Sequence, residues 1–267
     1  MEFIGIIPAR YASTRFPGKP LAMLGGKTVI RRVYEQVASV LPRVVVATDD
    51  ERISNAVEAF GGTAIMTSPD HKSGTDRIYE ALVKLSGGRQ AWTDLVVVNV
   101  QGDEPFIMPS QIETVCHCFD DGSTQIATLA KPFGAGDVDN PNSPKVVTDL
   151  RGYALYFSRS VIPYLRGVPK EQWAQTFPYM KHLGLYAYRA DVLAEITALP
   201  QSPLETAESL EQLRWLQNGY RIRVGTTDIE TVGIDTPADL QRAERFLADR
   251  QTLYAGPTAT RNDRHNR

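Results

Sequence analysis

Cysteine is scarce in this chain: its 267 residues include two, Cys116 and Cys118. That excludes a disulfide framework as the source of stability and leads us to expect a reducing, cytoplasmic setting. A dominant charge of one sign is also missing. With 29 Lys and Arg against 31 Asp and Glu, the formal net charge is −2. A broadly basic nucleic-acid surface is thereby excluded, and any cationic patch must be local. No apolar run approaches the ~18–20 residues that span a bilayer, so no membrane insertion is expected. The opening MEFIGIIPAR reaches Pro8 and Arg10 too soon for a secretory leader. Two familiar phosphate loops are absent as well: the glycine-spaced loop ending in Lys-Ser/Thr, and GxGxxG after a strand. Cys116, His117 and Cys118 do not make a metal motif. Successive helical residues diverge by about 100° and cannot converge on one ion, so we read them as core and surface helix positions.

What is present reads as a soluble globular protein. The chain is 42% hydrophobic and 22% charged, and its length can bury a sizeable core. FIGIIPA (3–9), RVVVATD (43–49), GTAIMT (62–67) and DLVVVNVQGD (94–103) read as strands. Between them TVIRRVYEQVASV (28–40), ERISNAVEAF (51–60) and TDRIYEALVKL (75–85) read as helices, the second capped by Asp49 or Asp50. Continuous β-branched runs imply strands covered on both faces. This order predicts an α/β fold with a doubly wound, mostly parallel sheet, in which ligands sit beyond the carboxyl ends of the strands.

From Thr124 the rhythm changes to TQIATLAKP, KVVTD, YALYFSRS and KHLGLYAYR, with prolines in the loops between. We expect a mixed-sheet lobe over about 124–190, inserted within a single domain of residues 1–254. One helix is predicted over 203–220, a strand over RIRVGTT and a closing helix from Pro237. Residues 255–267 lack apolar anchors and are expected to form a disordered tail.

Several polar segments fall on the predicted rim. IIPARYASTRFPGKPL (6–21) leaves a strand carrying the planar forks of Arg10 and Arg15 and the point charge of Lys19. Ser13 and Thr14 add hydroxyls, and Gly18 lets backbone approach an anion. Several phosphates would need such a segment, although an exposed loop can carry the same residues. VNVQGDEP ends a strand at Gln101, Gly102 and Asp103, where a carboxylate can ligate Mg²⁺ or cap the turn before Pro105. VGIDTPADL places Asp235 similarly, as a second metal ligand or as a helix N-cap. SGTDR (73–77) can cap a helix through Ser73 or Thr75 and hold Arg77 near the rim, although taken alone the stretch is more commonly a helix carrying a surface arginine.

IIPARYASTRFPGKPL, DHKSGTDR, VVNVQGDEP, YALYFSRSVIP, HLGLYAYR, the PLE and LEQLR segments, and GIDTPADL run in order from about residue 3 to about 247. Together they resemble the 3-deoxy-manno-octulosonate cytidylyltransferases, or CMP-Kdo synthetases. The related sialate enzymes have a glycine-richer loop after IPAR. The resemblance implies a nucleotide-sugar transferase α/β fold, dimeric through the inserted lobe. It implies that CTP and 3-deoxy-D-manno-octulosonate (Kdo) are joined, with Mg²⁺, into CMP-Kdo and pyrophosphate for lipopolysaccharide biosynthesis. It further implies a nucleotide site of Pro8, Ala9, Arg10, Ser13, Thr14, Arg15, Lys19, Ser73, Arg77 and Gln101. Lys19, Arg10, Arg15, Asp103 and Asp235 would carry catalysis, the two aspartates as metal ligands. Arg159, His182, Tyr186, Glu211 and Gln212 would meet the sugar acid. Kdo is itself an anion, which accounts for Arg159; His182, on its own residues, reads as a hydrogen-bonded core histidine. Two alternatives stand beside this: a cytidylyltransferase for 8-amino-Kdo or another acidic sugar, and a CTP-binding sensor without turnover. Retention of Lys19, Asp103 and Asp235 speaks against the sensor.

Overall fold

Strand β1 (Glu2–Ala9) is buried continuously from Ile4 to Ala9, and its alternating side chains enter two different cores. Ile4 and Ile6 pack with Ile78 and Leu82, whereas Ile7 packs with Ile30 and Val33. That is the physical reason for an unbroken apolar run: both sheet faces are covered by helices. The structure, a computed structural model, describes residues 1–88, 92, 94–134, 138–230 and 232–254. The 255–267 tail lies outside the described residues.

After β1 come α1 (Val29–Ala38), β2 (Val44–Thr48), α2 (Glu51–Ala59), β3 (Ala64–Met66), α3 (Gly74–Leu85) and β4 (Leu95–Asn99). Thr28, Asp50 and Ser73 cap the three helices through side-chain oxygens, each satisfying a backbone N–H that has no partner within its helix. The four strands are parallel, with β1 between β4 and β2 and with β3 outside β2. Their carboxyl ends therefore share one rim.

The chain continues through α4 (Pro109–His117), β5 (Ile126–Pro132), β6 (Lys145–Thr148), β7 (Ala154–Ser158) and β8 (Met180–Arg189). Next are α5 (Ala190–Thr197), α6 (Pro203–Glu208), α7 (Gln212–Gln217), β9 (Ile222–Thr226) and α8 (Pro237–Tyr254). The sheet order is β9-β5-β8-β4-β1-β2-β3, with β6 pairing β8 and β7 off this path. Strand β8 is antiparallel to both β4 and β5. Strands β5 and β8 thus continue the central sheet, and it is the β6–β7 hairpin that branches from it.

The single helix expected over 203–220 is two. Ser209 breaks it in the left-handed region at φ 50°. The main-chain carbonyls of Glu208 and Ser209 accept from the Arg159 guanidinium at 2.6 and 3.2 Å. A tertiary contact has taken acceptors that a continuous helix would use itself. Helix α5, not anticipated from the sequence, buries Val192, Leu193 and Ile196 in the core that contains Ile4 and Ile6.

Candidate active site

At the carboxyl ends of β1 and β4 lies a cavity of about 250 Å³. The segment leaving β1 supplies Pro8, Ala9, Arg10, Ser13, Thr14, Arg15 and Lys19; the β3–α3 segment supplies His71, Lys72, Ser73, Gly74 and Arg77. Gln101, Gly102 and Asp103 come from the end of β4, and Asp235 from the segment before α8. Every residue expected at the nucleotide, and both expected metal ligands, therefore line one cavity. The loop entering α3 adds Lys72, a further cation inside DHKSGTDR that no apolar strand end marks in the sequence.

Two glycines make this geometry possible. Gly18 has φ 73°, and an added Cβ would lie 3.0 Å from the Tyr11 ring. Its N–H and that of Ser13 both donate to the Tyr11 carbonyl at 2.9 Å, folding the loop back on itself. The Arg52 guanidinium stacks 3.3 Å from the centroid of the Tyr11 ring and is itself held by Asp50 at 2.9 and 2.6 Å. At Gly102 a Cβ would meet the Pro8 carbonyl oxygen at 2.8 Å, so the ends of β1 and β4 approach this closely only with glycine there.

The Lys19 ammonium joins both carboxylates, pairing with Asp103 and lying 3.2 Å from Asp235 Oδ1. Arg15 reaches Asp235 Oδ2 at 3.1 Å. The capping alternative for Asp235 does not describe this structure. Thr236 Oγ1 accepts from Asp239 N–H at 3.2 Å, while the Asp239 carboxylate accepts from Thr236 N–H at 2.7 Å and Asp235 N–H at 3.1 Å. This reciprocal cap leaves the Asp235 carboxylate turned to the cavity. Ile234 N–H donates to the Asp103 carbonyl at 2.9 Å, tying the two segments side by side. No cluster of three or more His, Cys, Asp or Glu suited to a metal occurs among the described residues. Two carboxylate donors meeting on one cationic nitrogen nevertheless suit Mg²⁺, which commonly takes one or two carboxylates and completes its shell with phosphate oxygens and water.

Arg77 is only 3% exposed, and its guanidinium donates to Thr67 Oγ1 at 2.6 Å and Asp49 Oδ2 at 2.9 Å. It lines the cavity as a tethered arginine.

The residues expected at the sugar do not line this cavity. Glu211 accepts from Thr75 Oγ1 at 2.8 Å, and Thr75 shares the first turn of α3 with the cavity residues Gly74 and Arg77. Burial pushes the Glu211 carboxyl up, against the lowering effect of Thr75 and Arg214. Tyr186 and Tyr188 stack with centroids 5.8 Å apart and meet the Trp215 ring edge-on at 5.3 and 5.4 Å. Gln212 Nε2 and Trp215 Nε1 are buried without hydrogen-bond partners among the described residues, whereas the Tyr186 side chain neighbours Thr128 and the Tyr188 side chain neighbours Asn99 and Thr75. Tyr188 and Trp215 were not singled out from the sequence, because isolated aromatics read as core. His182 is half-buried as a whole residue, and desolvation of its imidazole pushes it down to about 3; its Nε2 lies 3.0 Å from Thr128 Oγ1, which donates to the Leu185 carbonyl at 2.8 Å. Arg159 stands apart, held by the carbonyls of Glu208, Pro141 and Ser209.

A cytidylyltransferase family model matches residues 4–222. The 3-deoxy-manno-octulosonate cytidylyltransferase of Bacteroides thetaiotaomicron is 65% identical over 254 residues, covering 94% of this chain and 100% of the relative. That of Porphyromonas gingivalis is 56% identical over 250 residues, covering 92% and 96%. Among solved structures, a CMP:2-keto-3-deoxy-manno-octonic acid synthetase complexed with CTP matches with a TM-score of 0.85 at 44% identity, over 94% of this chain and 100% of that one. A 4-diphosphocytidyl-2C-methyl-D-erythritol synthase from Anaerococcus prevotii matches at TM-score 0.57 and 12% identity, over 92% and 99%, and shares the fold alone.

Proposed function

This chain belongs to the cytidylyltransferase family, among the 3-deoxy-manno-octulosonate cytidylyltransferases, and we propose that it joins CTP to Kdo, giving CMP-Kdo and pyrophosphate for lipopolysaccharide biosynthesis. The observation that carries this reading is the meeting of Arg10, Arg15, Lys19 and Lys72 with Asp103 and Asp235 around one cavity. Few ligands other than a polyphosphate with its metal call for that mixture of charges.

The reaction forms a bond between the anomeric oxygen of Kdo and the α-phosphorus of CTP. It breaks the bond from that phosphorus to the oxygen leading to the β-phosphate, and the hydroxyl proton is released. The approaching oxygen meets a phosphorus screened by negative oxygens. Arginine forks and lysine ammoniums reduce that repulsion, fix the chain of phosphates for in-line displacement and stabilise the departing pyrophosphate. Asp103 and Asp235 are the residues that would hold Mg²⁺, which when bound polarises the phosphoryl oxygens it contacts. Gln101 and the first turn of α3 border the same cavity and are assigned to the cytidine end.

The sugar acid is assigned to the cluster behind that turn. The buried Gln212 amide and Trp215 indole N–H groups, without protein partners among the described residues, are costly unless a polyhydroxylated ligand or water meets them. Three of the five guanidinium N–H donors of Arg159 engage main-chain carbonyls, which leaves two for a carboxylate. Exposed Leu150, Leu155 and Tyr164 on and after the β6–β7 hairpin are the surface we assign to a homodimer. Cys116 and Cys118 are free thiols, pushed up by burial to about 12 and about 11, in keeping with a cytoplasmic enzyme. No helix among the described residues is long and apolar enough to cross a membrane. The substrate assignment is tested by comparing kcat/KM for Kdo, 8-amino-Kdo and sialic acid with CTP and Mg²⁺. Kdo should lead, and a preference for either of the others would replace it as the substrate.

A further inference from the structure

The segment that carries His71, Lys72 and Ser73 to the cavity has no regular structure between Ser68 and Lys72. Two residues of α3, three positions apart and so on one helix face, grip it at Ser68. The Arg77 guanidinium donates to the Ser68 carbonyl at 3.3 Å. The Glu80 carboxylate accepts from the Ser68 N–H at 2.8 Å and, through the same oxygen, from His71 Nε2. Its other oxygen pairs with the Lys84 ammonium at 2.7 Å. Burial pushes the Glu80 carboxyl up, but Lys84, Ser68 and His71 outweigh it and bring the group down to about 2. Glu80 itself does not line the cavity that holds Lys72; it lies on the neighbouring groove between α3 and α5, where His71 is the residue common to both.

We infer that Glu80 is a positioning residue for nucleotide binding, fixing the loop that presents Lys72 to the phosphates without touching them itself. The inference rests on the reading of the cavity as the CTP site. Its physical basis is entropic: a loop without a ladder of its own loses several backbone degrees of freedom on binding, and a carboxylate holding two of its donors removes that cost beforehand. A merely helix-stabilising role, through the Glu80–Lys84 pair, predicts something different. Such a surface pair affects stability slightly and CTP binding not at all.

The test is CTP affinity by calorimetry, with KM and kcat, in the full-length enzyme carrying Glu80→Ala, Glu80→Asp, Glu80→Gln or Lys72→Ala. Loss of the charge-assisted contacts in Glu80→Ala should raise Kd and KM for CTP about tenfold, while kcat at saturation changes less than about threefold. Glu80→Asp keeps the charge but retracts the acceptor from Ser68, so it should move in the same direction and serves if the alanine variant does not fold. Glu80→Gln keeps an acceptor of the same reach for Ser68 but not the charge, so its Kd for CTP should fall between those of the parent and Glu80→Ala. Because Glu80 acts through the loop, adding Glu80→Ala to Lys72→Ala should cost less than about threefold more. Parental CTP affinity in folded Glu80→Ala or Glu80→Asp, or full multiplication with Lys72→Ala, overturns the inference. If Lys72→Ala, Arg15→Ala and Lys19→Ala all bind CTP as the parent does, the nucleotide reading of the cavity fails, and this inference with it.

Discussion

Lys19 and Asp235 stand 216 positions apart in the chain, yet the lysine ammonium lies 3.2 Å from the aspartate oxygen. Asp103 pairs with the same ammonium from a third segment. Neither carboxylate is spent on capping a helix. A sheet that brings the ends of β1 and β4 together through Gly102, and a reciprocal Thr236–Asp239 cap beside them, leave two carboxylates and a lysine facing one cavity.

If Asp103 and Asp235 serve one magnesium, Asn at either position keeps the volume and removes the charge. Asp103→Asn and Asp235→Asn should remain folded and lose about 10²–10³-fold in kcat at saturating CTP and Kdo. Residues that act as a unit do not multiply, so the double variant should be little worse than either single. Turnover across a magnesium titration decides it: an active Asp235→Asn enzyme removes Asp235 from the metal site, and multiplying losses show that the two do not share an ion.

Arg15 is largely exposed, and the Lys19 side chain is 13% exposed. Arg15→Ala should therefore act mainly on CTP binding, with KM raised about tenfold, the range for one charge-assisted contact. Lys19→Ala should lower kcat as well, because its ammonium also neighbours both carboxylates. Steady-state kinetics that leave both parameters near the parent values would return this loop to an ordinary solvated surface.

Most of this site was legible because the residues that form it follow strand ends that periodicity reveals. FIGIIPA, RVVVATD, GTAIMT and DLVVVNVQGD each coincide closely with a strand of the parallel half, so the loops after them had to share a rim. What could not be read depended on contacts between distant segments. Ser209 splits the 203–220 helix because Arg159, 50 residues away, takes the carbonyl of Ser209. The joining of β5 and β8 to the central sheet is likewise a pairing choice that neither strand's own pattern encodes. Lys72 was visible in DHKSGTDR but had no apolar strand end to mark it, and Glu80 acts through a fold-dependent contact with Ser68.

Arg159 tests the division between nucleotide and sugar. Arg159→Ala should raise KM for Kdo at least about tenfold, as expected for a lost charged hydrogen bond, and leave calorimetric CTP affinity near the parent value. Its carbonyl contacts also brace the α6–α7 corner, so a fall in Tm is expected alongside. Equal damage to CTP binding would move Arg159 out of the sugar assignment.

His182 gives a prediction in pH. Burial lowers it to about 3 from its ordinary 6.5, so between these values the unfolded chain binds a proton that the folded chain does not. Its contribution to stability is complete above pH 6.5 and is lost as pH falls toward 3. Relative to His182→Gln, the parent should lose up to ~1.4 kcal/mol more stability per pH unit within that window. Urea unfolding of both proteins at pH 7.5, 6 and 5 measures the difference, and parallel losses would show that His182 is not held neutral in the fold.

The central claim is the transfer itself. Purified full-length protein given CTP, Kdo and Mg²⁺ should release one pyrophosphate for each CMP-Kdo formed, with both products quantified in the same reaction. Omission of Kdo or chelation of the metal should stop both. CTP binding without product, or pyrophosphate release that does not depend on Kdo, would contradict the account.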